Sequence, residues 1–236
     1  MRIRNALLTL SIAVLVAACG SSADPADPAA PATTPSTEVE TSPSAGGRTH
    51  VLSDPADGGV GIAVTLPASG WSGEPGGWAM ETGPDGFDPP EGAGIIAFTV
   101  DEEFYVYGDP CRWSTTRPDT PATTVEELVA ALADQRSRNA SAPEEITVGG
   151  YQGMKITLHV RDDAEFGDCD DGTFATLGVA GEDPALYAQG PGEIDEIWVV
   201  DVDGRIALLN GGYYAGTSQH AVEEIRAILD SMRLEP

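Results

Sequence analysis

Six carboxylates crowd residues 162–171: Asp162, Asp163, Glu165, Asp168, Asp170 and Asp171. Hard cations such as Ca²⁺ take carboxylate and carbonyl oxygens, so this is the densest candidate for a metal site. Yet Asp168-Cys169-Asp170-Asp171-Gly172 lacks the alternate spacing and the distant last ligand of an EF-hand loop. A solvated surface loop is the better reading, and no metal or cofactor is expected. Paired carboxylates also drive glycoside hydrolysis. With 38 acidic residues in a chain of 236, however, no pair stands out. The motifs G-x-S-x-G, H-E-x-x-H, the Walker loop and a G-x-G-x-x-G after a strand are all missing. His50, His159 and His220 are scattered and no CxxC occurs, which argues against zinc. Trp71, Trp78, Trp113 and Trp198, with Tyr213-Tyr214, are the surfaces on which a ligand would stack. Such aromatics more often pack a core or its rim. Trp113 and Trp198 are taken as the candidate ligand-binding pair.

The three cysteines carry more. Arg2 and Arg4 precede a run from Ala6 to Ala18 that is apolar except for Thr9 and Ser11. That run is shorter than the ~20 residues of a membrane-spanning helix. It fits the apolar core of an export signal ending in small residues. Val16-Ala17-Ala18-Cys19-Gly20 then resembles the bacterial lipobox. Its peptidase needs small residues before the cleaved bond and a cysteine after it. The Cys19 thiol takes a diacylglyceryl group, and cleavage leaves lipidated Cys19 at the N-terminus. The alternative is ordinary secretion with cleavage after Ala18. Two acyl chains give stable anchoring where one gives only marginal binding. With Cys19 so used, Cys111 and Cys169 remain. In an exported protein they are predicted to pair. The bridge would close a loop of 58 residue steps (169 minus 111). Chain-entropy arithmetic gives such a loop about 4 kcal/mol.

Net charge narrows the partners. Twelve basic against 38 acidic residues give −26. Nucleic acid needs a Lys/Arg footprint, and anionic lipid needs a basic patch, so neither is an expected partner. Contact with a membrane would run through the N-terminal lipid. Removing residues 1–18 takes away Arg2 and Arg4 only, leaving ten basic residues and a charge of −28. Lys155 is the only lysine. The Ala/Gly/Pro/Asp/Arg-heavy usage resembles that of a high-GC bacterial genome.

The elements that must position these residues follow from periodicity. Residues 1–18 form the signal peptide, and residues 19–55 an Ala/Pro/Ser/Thr linker that cannot bury enough apolar surface to order itself. It serves as a stalk with a mean reach of ~30 Å, and it could accept O-linked sugars. The domain, residues 56–236, opens on a strand at Gly61–Leu66. Residues 67–93 read as a Gly/Pro-rich loop holding a short strand or two. Ile95–Val100 and Phe104–Tyr107 are β-rich. Thr123 or Thr124 caps a helix, completed by Glu126 or Glu127. Its stripe is Val125, Leu128, Val129 and Leu132. Gly149-Gly150 and Asp203-Gly204 mark hairpins between strands 145–148 and 151–160, and 194–201 and 205–209. Another strand covers 173–180. A final helix starts near Thr217 or Ser218, with Val222, Ile225, Leu229 and Met232 on its buried face. Hairpins without βαβ alternation predict a single α+β domain: a twisted antiparallel sheet packed by two helices.

The runs Asp109-Pro-Cys-Arg-Trp113, Pro143 to Gly153, Cys169-Asp-Asp-Gly172 and Ile197-Trp-Val-Val-Asp-Val-Asp-Gly204 resemble a family of actinobacterial secreted lipoproteins. These join a lipobox, a low-complexity stalk and a two-cysteine domain. The order of elements also resembles the PsbP-like α/β/α sandwich. Neither resemblance brings a catalytic residue, and PsbP-like domains are mostly binding or assembly modules. The expectation is a lipid-anchored, monomeric, non-enzymatic binding or accessory lipoprotein on the outer face of the bacterial membrane. Its partner would be an envelope protein or small ligand meeting Trp113, Trp198 and the acidic loop. The alternatives are an envelope hydrolase with paired carboxylates and the solute-binding lipoprotein of a transporter.

Overall fold

Two pairs of turn residues organise the chain. In the computed structural model, which describes residues 47–54, 59–74, 77–82, 92–98 and 103–235, Gly149 and Gly150 have φ of 59° and 93°. Asp203 and Gly204 have 56° and 85°. Positive φ at both central positions gives the tight turn whose twist matches that of the strands it joins.

The strands run β1 (Arg48–Ser53), β2 (Gly61–Leu66), β3 (Trp71–Glu74), β4 (Trp78–Glu81), β5 (Ala93–Phe98) and β6 (Tyr105–Val106). After a single turn, α1 (Trp113–Thr116), and the helix α2 (Val125–Ala133) come β7 (Arg138–Ala140), β8 (Glu144–Val148) and β9 (Tyr151–Val160). Next are β10 (Phe174–Val179), β11 (Glu182–Ala188), β12 (Glu193–Val202) and β13 (Arg205–Tyr214), then α3 (Gln219–Asp230) and β14 (Arg233–Glu235). Eight strands form the large sheet, ordered β3-β4-β5-β13-β12-β9-β7 with β8 also paired to β9. Two three-stranded sheets, β1-β2-β14 and β11-β10-β6, complete the fold. The described strand pairs are antiparallel. The α+β expectation holds, with the two small sheets as an addition to it.

Both faces of the large sheet are covered. Ile197 and Val199 of β12 and Leu208 of β13 join Leu128, Val129 and Leu132 of α2, with Leu177 of β10, in one core. Val200, Val202 and Leu209 join Ile225 and Leu229 of α3, with Ile62 and Val64 of β2, in another. Successive strand residues face opposite ways, so one strand feeds both cores. Full burial of each such side chain contributes about 1.5–3 kcal/mol.

Helix starts follow their caps. The Thr124 hydroxyl accepts from Glu127 N–H at 3.1 Å, while the Glu127 carboxylate accepts from Thr123 N–H at 2.9 Å. Ser218 caps α3, accepting from Ala221 N–H at 3.2 Å.

Four strands depart from the sequence reading: β7 and β14, of three residues each, and β1 and β11. β1 lies within residues 19–55, read as linker, yet it pairs with β2 and buries Leu52. Its polar flanks masked a short alternating segment. β11 carries Pro184 just after Gly181, which reads as a turn. As the edge of its sheet it tolerates a residue with no N–H to donate. The signal peptide, Cys19 and the linker up to residue 46 lie outside the described residues.

Candidate functional site

Adjacent residues of β12 bring charge to opposite faces of the large sheet, and each meets an arginine. Glu196 shares its face with Trp198, Val200 and α3. Asp195 shares its face with Ile197, Val199 and α2.

On the α3 side, the helix packs over β13 and β5 and leaves part of β12, β9 and β8 uncovered. A cleft of about 360 Å³ opens there. Its lining includes Trp198, Lys155 and Thr157, set side by side by the register Trp198↔Lys155 and Glu196↔Thr157. Glu144 of β8 stands opposite Lys155. Arg226 and Asp230 line it from α3.

Most of the charge in the cleft is matched internally. Lys155 Nζ lies 3.1 Å from Glu144. Arg226 holds Glu196 Oε1 through Nε at 2.8 Å and Nη2 at 2.7 Å. The Tyr213 hydroxyl donates to the same oxygen at 2.8 Å. Burial, then the Glu196 carboxylate, push the Tyr213 hydroxyl up to about 12.

Two groups are left over. Asp230 closes α3 in a last turn that carries no basic residue. No described donor bonds its carboxyl, which partial burial raises above the usual range and Lys155 draws back down. The indole N–H of Trp198 is buried with no acceptor.

The α2 side is a closed polar network. Arg138 of β7 donates to Asp195 at 2.7 Å, and the two side chains are 0% and 3% exposed. Arg138 also donates to the Thr176 hydroxyl at 2.9 Å, and Asn210 donates to the other Asp195 oxygen at 3.0 Å. Gln135, just past α2, bonds the Tyr107 and Thr176 carbonyls at 2.9 and 2.7 Å. Glu193, two residues before Asp195, accepts from Gln189 N–H and from the Tyr214 hydroxyl. Burial, then the Asp195 charge, raise the Glu193 carboxyl to about 8. A Cβ at Gly212 would stand 3.3 Å from Glu193 and 3.5 Å from Asp195, so this glycine leaves room for both carboxylates.

The residues singled out from sequence fall in separate places. Cys111 and Cys169 are bridged, with an S–S distance of 2.06 Å. Trp113 stands beside that bridge, its indole donating to the Asp170 carbonyl at 3.0 Å and its ring 5.8 Å from that of Tyr107. Trp198 packs against the α3-side core. The two tryptophans therefore share no surface. The acidic loop disperses its charge: Asp170 accepts from Ser114, Asp163 pairs with Arg161, and Asp162 lies 3.6 Å from His159. Among the described residues no group of three or more His, Cys, Asp or Glu converges to hold a metal ion. None of their helices is long and apolar enough to cross a membrane.

Sequence reasoning missed Arg138, Glu193, Asp195 and Asn210. The one available signal was parity: Asp195 falls on the same strand face as Ile197 and Val199. Nothing near Arg138 marked its partner 57 residues away.

Cleft, network and fold together define an α+β protein with an antiparallel sheet between helices. No family model matches the chain, and no curated protein matches it. Solved structures are similar to it only distantly. LpqN, involved in cell envelope biogenesis of Mycobacterium tuberculosis, is 14% identical, with 80% of this chain and 92% of that one covered and a TM-score of 0.41. A Bacteroides thetaiotaomicron VPI-5482 protein is 11% identical over 81% of this chain and 49% of its own, at 0.36. The cyanobacterial PsbP (CyanoP) of Synechocystis sp. PCC 6803 is 14% identical over 79% and 92%, at 0.35. Likeness at this level carries no functional argument.

Proposed function

We propose that this is an exported, lipid-anchored envelope lipoprotein that works without catalysis, as a binding or accessory module, through the cleft beside α3. The cleft carries the reading: it is an indentation of the sheet face in which one aromatic ring, that of Trp198, is set among charged and polar side chains. The lipobox-like run Val16-Ala17-Ala18-Cys19-Gly20 supports the anchor, and the Cys111–Cys169 bridge supports an oxidising compartment. Glu196 is the most enclosed carboxylate of a cleft ion pair, yet Arg226 and Tyr213 occupy it. That arrangement holds side chains in place rather than a proton for transfer. Glu193 and Asp195 are a carboxylate pair, but at 3% and 2% exposure they meet neither substrate nor solvent water.

The anchor is tested by the intact mass of the protein from membranes. A chain starting at Cys19 plus a diacylglyceryl mass is expected, and the same chain without added mass removes the anchor. The cleft is tested by photo-crosslinking in the native envelope from Thr157, with Tyr187 as a distant control. Capture at Tyr187 but not at Thr157 would move the binding surface elsewhere.

A further inference from the structure

Glu193 sits where a strand can open. It is the first residue of β12 and pairs with Tyr214, the last of β13, while pairing with β9 begins only at Ile194. Before it lies the turn Gln189-Gly190-Pro191-Gly192, with Gly192 at a φ of 76°. The Glu193 carboxyl closes this turn. It accepts from the Gln189 N–H and from the Tyr214 hydroxyl, while the Glu193 N–H donates to the Gly190 carbonyl at 3.4 Å.

The charges at this corner do not balance. Around Glu193 stand Asp195 on its own strand, Tyr214 and the neutral Asn210 on β13, and Arg138 on β7. Across the turn, Asp162 lies 3.6 Å from His159 of β9, and a Cβ at Gly192 would stand 2.9 Å from the Asp162 carboxylate. No donor of Arg138 goes to Glu193. Nη2 is on Asp195, Nη1 on Thr176 and Gln135, and Nε bonds nothing. Two carboxyls thus share one guanidinium out of water. An uncompensated buried carboxylate is costly, so one of the two holds a proton. Arg138 holds Asp195, and the proton falls to Glu193, the carboxyl that burial and then the Asp195 charge raise to about 8.

We infer that the turn Gln189–Gly192 is a flap that opens in alkali: loss of the Glu193 proton frees the turn from Tyr214 and lets the carboxylate reach water, while the rest of β12 stays paired. The relief is local because Glu193 ends its ladder and a glycine stands on each side of Pro191. Asp195, paired with Gly212 on one side and Leu158 on the other, could reach water only by parting β12 from both neighbours. Local openings of this kind need less free energy than unfolding. In the open form the carboxyl returns to its ordinary range. Opening therefore becomes about tenfold easier per pH unit up to about pH 8 and levels above it. An exported protein, as proposed above, meets the external pH directly. The flap is independent of the cleft beside α3.

Amide hydrogen exchange of the intact protein, followed by NMR from about pH 6 to about pH 9, tests this. With the intrinsic rate divided out, protection of the Gln189 amide is expected to fall about tenfold per pH unit to about pH 8 and then level. About 1 M urea should leave it unchanged, because a local opening exposes little surface. The Ile197 amide, in mid-strand, is expected to stay better protected and to lose protection in urea, as an amide freed by global unfolding does. In Glu193→Gln, which keeps an acceptor and cannot ionise, Gln189 protection should not vary with pH. A flat profile in the native chain, or a fall that survives Glu193→Gln, overturns the flap. So does a urea response of Gln189 equal to that of Ile197, which would mean that the turn opens only with the whole domain. If Glu193→Gln does not fold, the native chain's pH profile and urea response decide alone.

Discussion

Asp195 and Glu196 are chain neighbours with the same chemistry and opposite fates. The pleat sends Asp195 into the α2-side layer, where Arg138 meets it with both side chains shut away from water. It sends Glu196 toward α3, where Arg226 meets it with its own side chain 54% exposed. In water two such charges attract weakly; in the interior they attract strongly but must first be stripped of solvent. The contrast separates an arrangement that locks the structure from one that can be remodelled by a ligand. Asp195 is bound by groups from β7 and β13, and Arg138 and Gln135 tie the same region to β10. Glu196 ties β12 to Arg226 of α3 and to the Tyr213 hydroxyl of β13 at the rim of a cleft.

The largest expected effect lies on the closed side. Asp195→Ala leaves Arg138 buried without its counter-charge, and breaking a buried pair in this way costs about 3–5 kcal/mol. Denaturant unfolding should register it as a large drop in midpoint, whereas Glu196→Ala should lower stability by about 1 kcal/mol or less. Equal losses would erase the distinction between the two faces. Replacing Cys111 and Cys169 together by Ala should remove about 4 kcal/mol, from a closed loop of 58 residues. Chemical-shift changes should concentrate around Trp113 and leave the Trp198 indole where it was.

A smaller effect sharpens the closed side further. The Glu193 carboxyl, raised to about 8 by burial and then by Asp195, keeps its proton in the native chain where the unfolded chain has lost it. The native state therefore binds more protons between the ordinary carboxylate range and about pH 8. The contribution of Glu193 to stability is greatest below that window, falls as pH rises through it, and levels above it. Glu193→Gln removes the titration and should flatten this fall, so that the variant gains on the native chain as pH rises. An unchanged slope in a pH series of unfolding curves would show that Glu193 does not govern it.

These two regions also show what a sequence exposes. α2 and its capping Thr124, the stripe of Leu128, Val129 and Leu132, and both hairpins with their Gly149-Gly150 and Asp203-Gly204 turns were legible, because each rests on residues close in the chain. The Cys111–Cys169 bridge was legible by elimination. The Arg138–Asp195 pair was not, because only sheet register and layer packing bring it together. The pairing of Trp113 with Trp198 on one face failed for a related reason. Aromatic type says nothing about which side of a sheet a residue occupies. Trp198 takes the α3 side by its parity with Val200, while Trp113 is drawn to the disulfide by Asp170. Of the cleft, Trp198 alone was singled out. Lys155, Arg226 and Asp230 become neighbours only when α3 is laid beside β9.

The smallest effect is on the open side, and it bears on whether the rim can be rearranged. Tyr213 is held up to about 12 first by burial and second by the Glu196 carboxylate that its hydroxyl bonds. Glu196→Gln keeps the burial and an acceptor but removes the charge that opposes ionisation. It also leaves Arg226 to favour the phenolate. The Tyr213 titration should therefore move down toward the ordinary tyrosine value without reaching it, since burial persists. The change in overall stability should stay within about 1 kcal/mol, because the Arg226 side chain is 54% exposed and can be resolvated. Ultraviolet titration of Glu196→Gln, with Tyr213→Phe to identify the transition, measures this. A downward shift with little loss of stability marks Glu196–Arg226 as a rim pair that a ligand can rearrange. A large stability loss would make the open face as structural as the closed one, and the cleft a packing feature rather than a site.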